Sequence, residues 1–271
     1  MRFSWIFTLL AAGCASTSVP VTPRGAEPAS EQSSVSALDA ALRGPARTLE
    51  DRARDVHRHP RETLEFFGIQ PSMNVIELSP GGGWYTRILA PLLREDGQLT
   101  VGLPDGKYGD AFRAMAAADP ALYGSVKEAR VAPPEAIELG EDGSADLVLT
   151  FRNSHSWIQA GTTDAILAAV FRVLAPGGVL GLVQHRDAEG AELRAESGYV
   201  PEAVLIAAAE AAGFELEAKS EINANPRDTR DHEHGVWSLP PSLRGEEDER
   251  ARKIEIGETD RMTLKFRKPR G

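Results

Sequence analysis

Residues 75–84 read VIELSPGGGW, and this stretch decides the fold. Its first four residues form a short run typical of a buried strand, and three consecutive glycines follow at 81–83. From residue 84 to about residue 93 the pattern is helical. A glycine loop between a strand and the start of a helix lets backbone approach a ligand where Cβ atoms would collide. The stretch therefore predicts a ligand site at the end of the first strand of an α/β fold.

One alternative is the loop of dinucleotide-binding folds, which has the spacing G-x-G-x-x-G. Gly81 and Gly83 supply its first two glycines, but Thr86 stands at the third position instead of Gly or Ala. That fingerprint is therefore incomplete, and the glycine loop alone leaves the kind of ligand open.

Strand-like and helix-like segments alternate through most of the chain beyond this loop. Such alternation predicts a doubly wound, mostly parallel sheet with helices on both faces. The predicted strands span residues 74–78, 98–103, 125–131, 144–151, 179–184, 214–220 and 261–268. Residues 38–68 precede them with a helical pattern. A basic stretch in this helical region indicates a solvated helical face; its arginines are Arg52, Arg54, Arg58 and Arg61.

A second motif, at residues 171–180, reads FRVLAPGGVL: a helix end, a proline-glycine turn and a strand. It resembles the segment before the fifth strand of class I S-adenosylmethionine-dependent methyltransferases. The resemblance covers about residues 45–271. It implies a Rossmann-like, seven-stranded, mostly parallel α/β sheet with N-terminal helices and an insertion between strands six and seven. It also implies S-adenosylmethionine as the cofactor and methyl transfer as the reaction.

Several short motifs are similar to those of a poorly characterised group of bacterial predicted methyltransferases with a lipoprotein-type signal peptide. This likeness bears on fold and cofactor class more than on the substrate. The motifs are Asp55-x-x-Arg58-x-Pro60 and the stretches at 66–69, 80–86, 151–153, 225–228 and 259–262.

The methyltransferase resemblance also implies a set of cofactor-binding residues. Glu77 matches the acid that ends the family's first strand, whereas Ser79 stands at the position of the family's first glycine. For the acid that holds the cofactor ribose, Asp105 is the candidate, and an ordinary turn aspartate is the alternative. The residues expected to bind the cofactor are Glu77, Ser79, Gly81, Gly82, Gly83, Asp105 and Asn153.

Ligands of an open α/β sheet bind outside the carboxyl ends of its strands. The loops after strands four and five bring His155 and His185 to that edge. Since an imidazole titrates near neutral pH, these two are the candidate catalytic bases for the acceptor proton. Histidines that only hydrogen-bond locally are the alternative. The insertion, residues 221–260, is expected to form a lid over the acceptor, and no metal site is expected there because its histidines lack a helical scaffold.

The overall charge narrows the class of acceptor. The 271 residues include 40 acidic and 30 basic side chains, for a net charge of −10. This balance argues against a nucleic-acid binder, which needs a basic face, so a small-molecule acceptor is expected. Cys14 is the one cysteine of the chain, which excludes an intramolecular disulfide.

The N-terminus predicts export. Residues 1–13 read MRFSWIFTLLAAG, with one positive charge, an apolar run and small residues before Cys14. This pattern is typical of a lipoprotein signal peptide, which leaves Cys14 lipid-modified and the protein anchored to the cell envelope. Residues 14–36 are rich in Ser, Pro, Thr and Ala and indicate a flexible tether, which leaves 37–271 as one methyltransferase-like domain. The alternative is an unused signal and a cytoplasmic protein.

The fold and the export signal disagree, because S-adenosylmethionine is not expected to be available outside the cytoplasm. Two functions follow from this disagreement. The first is a methyltransferase that acts on a small-molecule acceptor. The second is an exported, lipid-anchored binding protein with a non-catalytic methyltransferase fold. Binding of S-adenosylmethionine distinguishes them.

Overall fold

The computed structural model describes Met1 and residues 37–134 and 136–271. The predicted cleavage site, Cys14 and the tether lie outside the described residues. Within the described ranges, no helix combines the length and the apolar character that crossing a bilayer requires.

One mostly parallel sheet runs through the described chain. Its strands are β1 (Asn74–Leu78), β2 (Gln98–Leu103), β3 (Lys127–Ala132), β4 (Ala136–Glu138), β5 (Ala145–Phe151), β6 (Leu174–His185), β7 (Glu215–Ser220) and β8 (Arg261–Arg267). They lie in the order β4-β3-β2-β1-β5-β6-β8-β7. β8 is antiparallel to both β6 and β7. The predicted α/β fold class is therefore confirmed.

The strand that the seven-strand prediction lacks is β4, at one edge of the sheet. It pairs antiparallel with β3, with Ala136 opposite Ala132. β4 has only three residues, and none of them is fully buried. So short a segment carries no alternation long enough to be recognised in sequence.

Helices cover both faces of the sheet. The predicted helical region at 38–68 is four short helices, because His59 adopts a left-handed φ of 39° before Pro60 and the chain turns near Gly44. The helices are α1 (37–43), α2 (Leu49–Ala53), α3 (Asp55–Arg58), α4 (Pro60–Phe67), α5 (Thr86–Leu93), α6 (Lys107–Ala118), α7 (Pro120–Tyr123), α8 (Ser154–Gln159), α9 (Thr163–Val173), α10 (Glu202–Ala211) and α11 (Arg250–Ile256).

Two apolar cores pack against opposite faces of the central strands. On one face, Ile88 of α5 belongs to the same core as Val75 of β1 and Leu149 of β5. On the other face, Ile166 of α9 shares a core with Val148 of β5. Successive residues of a strand point to opposite faces, so β1 and β5 supply both cores. This double burial holds the carboxyl ends of β1, β5 and β6 side by side.

Candidate active site

A cleft lies at the carboxyl ends of β1, β5 and β6, where an open α/β sheet binds its ligands. Its volume is about 440 Å³. Side chains of α2 and α3, the loop after β1 and the segment after β7 form its walls. The lining residues are Asp51, Arg54, Arg58, Ser79, Pro80, Gly81, Gly82, Trp84, Arg87, Phe151, Arg152, Asn153, His155, His185, Val236 and Trp237.

The glycine loop after β1 opens one side of this cleft. A Cβ on Gly81 or Gly82 would meet no atom within 4 Å. A Cβ on Gly83 would instead lie 2.8 Å from Cε of Met115 in α6. Of the predicted cofactor residues in this loop, Ser79, Gly81 and Gly82 line the cleft, whereas Gly83 packs behind it.

Glu77, another predicted cofactor residue, lies beneath the loop rather than in the cleft lining. It is 2% exposed, and Oγ1 of Thr86 donates a hydrogen bond of 2.6 Å to its Oε2. Burial raises the pKa of Glu77 to about 7, and the hydrogen bond from Thr86 opposes that rise. The pair joins β1 to the first residue of α5 and so supports the shape of the loop.

Asn153 connects the end of β5 to the same loop. Its Nδ2 donates hydrogen bonds to the carbonyl oxygen of Leu78 at 2.9 Å and to Oγ1 of Thr150 at 3.2 Å. Asn153 also lines the cleft. This predicted cofactor residue thus holds the start of the glycine loop in place.

Asp105 lies two residues after β2 and outside the cleft lining. Its side chain is 55% exposed. Nε and Nη2 of Arg130 donate to its two carboxylate oxygens at 3.1 and 2.7 Å. These hydrogen bonds lower the pKa of Asp105. Asp105 is therefore paired with Arg130 and is not among the residues that line the cleft.

The two predicted catalytic histidines both line the cleft, with their ring centroids 6.0 Å apart. Nδ1 of His155 lies 3.2 Å from Nε2 of Gln184, and Nδ1 of His185 lies 2.6 Å from Oγ1 of Thr259. Burial is the largest cause that lowers the pKa of each histidine, and the positive charge of Arg152 lowers both further. Both rings are therefore neutral at pH 7.

The tautomer of His155 follows from the orientation of Gln184. Nε2 of Gln184 donates to the carbonyl oxygen of Gly198 at 2.9 Å, and a flipped amide would set two oxygens against each other. The second amide hydrogen of Gln184 is then available to Nδ1 of His155, which accepts it. The neutral ring of His155 therefore carries its proton on Nε2 and is a hydrogen-bond donor there.

These protonation states can be checked by NMR. We expect the titration midpoints of His155 and His185 to lie below pH 6.5, and long-range ¹H–¹⁵N correlations to place the proton of neutral His155 on Nε2. Because Arg152 lowers both pKa values, Arg152→Met should raise them. Arg172→Met is the control, since Arg172 is exposed on α9. A titration midpoint at or above pH 6.5 for His185 would contradict the assignment.

The interpretation of the N-terminal arginines as a solvated face is wrong for Arg54 and Arg58. Arg58 is 3% exposed, and both side chains line the cleft. Both donate hydrogen bonds to Glu258, which also accepts one from Arg261. Their spacing of four residues, which places them on one helical face, is the signal that the sequence offered. Their acidic partner lies about 200 residues away, so the sequence did not reveal it.

The predicted insertion, residues 221–260, supplies one wall of the cleft. Val236 and Trp237 line it, and the ring of Trp237 meets that of His155 edge-on at 5.8 Å between centroids. The sequence placed Trp237 in the segment that reaches this edge of the sheet, but it gave no signal for Val236.

Asp228 joins this insertion to the segment between β6 and α10 and to the residue before β8. It is 1% exposed and accepts hydrogen bonds from the hydroxyl of Tyr199 and from the backbone N–H of Asp260, the latter at 2.7 Å. Nε2 of His232 lies 3.0 Å from the same carboxylate. In the part of the chain that the structure describes, no group of three or more His, Cys, Asp or Glu side chains is arranged to hold a metal ion.

Comparison with known proteins identifies the fold. No family model and no curated protein matches the chain. A SAM-dependent methyltransferase from Aquifex aeolicus has a TM-score of 0.54 at 14% identity, covering 86% of this chain and 98% of its own. The [4+2]-cyclase SpnF has a TM-score of 0.54 at 18% identity, covering 90% and 97%. StiE O-MT has a TM-score of 0.53 at 18% identity, covering 86% and 81%. The fold of this chain is that of the class I methyltransferases.

Proposed function

We propose that the protein is an S-adenosylmethionine-dependent methyltransferase that acts on a small-molecule acceptor. The observation that carries this proposal is the glycine loop after β1, where Gly81 and Gly82 leave open space beside two neutral histidines. The solved structures of the same fold support the choice of cofactor, since they include a SAM-dependent methyltransferase. The net charge of −10 supports a small molecule over a nucleic acid.

The residues of the cleft fit this cofactor. Gly81 and Gly82 have no side chains that would prevent close approach to their backbone, and Glu77 and Asn153 hold the loop in shape. Bound there, the cofactor supplies a methyl group on a sulfonium centre.

The proposal also includes Asp105 as the residue that holds the cofactor ribose. Asp105 follows β2, the neighbour of β1 in the sheet, so its loop borders the glycine loop. A carboxylate accepts hydrogen bonds from two adjacent hydroxyls. The ion pair with Arg130 keeps Asp105 ionised for that role.

In the proposed reaction, His185 removes the proton of the acceptor. This role requires the tautomer in which Nδ1–H donates to Oγ1 of Thr259 and Nε2 is unprotonated, and burial favours the neutral ring. His155 carries its proton on Nε2 and orients the acceptor by donating a hydrogen bond. Val236 and Trp237 of the insertion cover this half of the cleft and exclude water, as a lid does.

Isothermal titration calorimetry of the folded full chain tests this function. We expect binding heat with S-adenosylmethionine and with its product, S-adenosylhomocysteine, and one site per chain. Far-UV circular dichroism of the same samples establishes that the protein is folded. A folded protein that gives no heat with either ligand would overturn the proposal.

The second candidate function is a lipid-anchored binding protein with a non-catalytic methyltransferase fold. The signal-like pattern of residues 1–14 favours it, because an exported protein does not meet the cytoplasmic pool of the cofactor. A fold also does not by itself determine a reaction, as the [4+2]-cyclase among the structural neighbours illustrates. Absence of S-adenosylmethionine binding by the folded protein would favour this second function.

We also propose that Cys14 is lipid-modified and anchors the protein to the cell envelope. Labelled fatty acid is expected to mark the wild type, and Cys14→Ser is expected to lose the label because no other cysteine is present. The measurement is the label on the purified chain, together with its share in the membrane fraction. Equal labelling of both proteins would show that Cys14 is not the anchor.

A further inference from the structure

Three arginines around the cleft share a single buried carboxylate. Nε of Arg54 donates to Glu258 at 2.6 Å, Nε of Arg58 donates to it at 3.1 Å, and Arg261 donates through Nη2. Glu258 is itself 3% exposed. One negative charge therefore faces three positive charges in a place where water does little to screen them.

Because the three arginines share one carboxylate, some of their N–H groups have no hydrogen-bond acceptor. Nη2 of Arg54, Nη2 of Arg58 and Nε of Arg261 are buried and have no hydrogen-bond partner among the described residues. The guanidinium of Arg58 also lies 4.7 Å from the ring centroid of Trp84, which fixes its plane at the cleft wall. A buried N–H group without an acceptor is unfavourable, and a ligand anion would satisfy it.

Arg152 adds a fourth charge to this group. It follows β5 with a left-handed φ of 66°, lines the cleft, and its side chain has no hydrogen bond or ion pair within the described ranges. Burial and the charges of Arg58 and Arg261 lower its pKa, although a guanidinium stays protonated. An unpaired cation of this kind is typical of a site that receives an anion.

The remaining charges near the cleft do not neutralise this group. Asp51 is the one acidic residue in the lining. It forms an ion pair with Arg87, whose Nη1 lies 3.6 Å from Oδ1 of Asp51. A chain of net charge −10 thus concentrates positive charge at its candidate active site. Such a local reversal of sign favours an anionic ligand.

The position of this group in the sheet shows which ligand it faces. Arg152 follows β5, and Arg261 of β8 is the register partner of His185, the last residue of β6. The glycine loop proposed for the cofactor follows β1, on the other side of β5. Arg152 and Arg261 therefore lie on the half of the cleft that contains the histidines, and Arg58 lies between that half and Trp84 at the end of the glycine loop.

We propose that the methyl acceptor carries a carboxylate or phosphate group, which binds between Arg58 and Arg152 beside His185. This inference rests on the proposed methyltransferase function, because it takes the histidine half of the cleft as the acceptor site. Arg58 supplies a rigid, buried donor, and Arg152 supplies a charge that makes no ion pair in the part of the chain that the structure describes. The anion places the acceptor next to the proposed base and contributes to specificity for acidic substrates.

Calorimetric titration of the full chain with inorganic phosphate and with acetate, at constant ionic strength in chloride, tests this proposal. Titrations are made without ligand and with saturating S-adenosylhomocysteine. We expect binding of one or both anions to the wild type, undiminished by S-adenosylhomocysteine. Preference for phosphate indicates a phosphorylated acceptor, and preference for acetate indicates a carboxylic acid.

Arg152→Met is expected to weaken anion binding at least about tenfold, as the loss of a charge-assisted hydrogen bond predicts. Its free energy of unfolding should not fall, because the side chain of Arg152 is half-buried and makes no ion pair with the described residues. Arg172→Met is the matched control, since Arg172 is exposed in the last turn of α9, before the amino end of β6 and away from the cleft. It should leave anion binding unchanged.

Three results would overturn the proposal. They are equal anion binding by the wild type and Arg152→Met, no binding of either anion by the wild type, and displacement of the anion by S-adenosylhomocysteine. The last would assign the arginines to the carboxylate of the cofactor. Failure of the proposed function looks different: S-adenosylhomocysteine does not bind, while anion binding and its dependence on Arg152 persist.

Discussion

Replacement of Glu258 by glutamine is expected to lower the free energy of unfolding by about 3–5 kcal/mol. The carboxylate is buried, and it is the acceptor shared by Arg54, Arg58 and Arg261. Glutamine keeps the volume but removes the charge, so three guanidinium groups remain near one another without a counterion. The measurement is urea unfolding at pH 7, followed by circular dichroism.

The same carboxylate makes stability depend on pH. Burial alone would raise the pKa of Glu258, but the charges of Arg261, Arg58 and Arg54 lower it to about 2. The unfolded chain therefore binds a proton more readily than the folded protein between pH 4.5 and 2. This contribution is present above pH 4.5 and is lost as the pH falls through that range. Glu258→Gln should lack it.

Glu217→Gln is the control for Glu258→Gln. The pKa of Glu217 is also lowered to about 2, by its hydrogen bonds with Arg267 and Lys265, but its side chain is 31% exposed. An ion pair in contact with water contributes little, so this substitution should change stability by no more than about 1 kcal/mol. If both substitutions had equally small effects, the buried arginine cluster would not depend on Glu258.

Gly81→Val is expected to weaken binding of S-adenosylhomocysteine on the order of 100-fold, a loss that corresponds to about 2.7 kcal/mol. A side chain at this position would meet no protein atom within 4 Å, so it would occupy the open cleft where the cofactor is proposed to bind. Gly83 is a poorer choice for this test. Its Cβ would lie 2.8 Å from Met115, so a substitution there disturbs packing as well.

Gly143→Val is the matched control for backbone strain. Gly143 has a φ of 74°, Gly81 has a φ of 57°, and a Cβ at Gly143 also meets no atom within 4 Å. Gly143 lies in the turn before β5, at the amino end of that strand and away from the cleft. Both substitutions should lower the free energy of unfolding by about 1–2 kcal/mol through left-handed strain. Unchanged ligand binding by folded Gly81→Val would remove the glycine loop from the proposed cofactor site.

Much of the fold was predictable because its central strands are buried on both faces. Such strands have nearly continuous apolar runs, and β1 has the bounds expected from its sequence. β6 begins at Leu174, earlier than the predicted residue 179, because the proline-glycine turn lies within an irregular part of the strand. The register there shifts between Ala145 and Leu147. The proline-glycine turn is visible in the sequence, but the pairing of Leu174 with Ala145 of β5 is not.

The sequence by itself determined the α/β fold, the glycine loop after the first strand and the two histidines of the cleft. These features depend on local patterns, namely apolar periodicity, turn residues and the order of strands, which a chain carries along its length. Only the tertiary structure decided that Arg54 and Arg58 pair with Glu258, that Arg152 makes no ion pair with the described residues, and that Asp105 pairs with Arg130. Charge pairing and burial depend on residues that are distant in sequence, and packing alone brings them together.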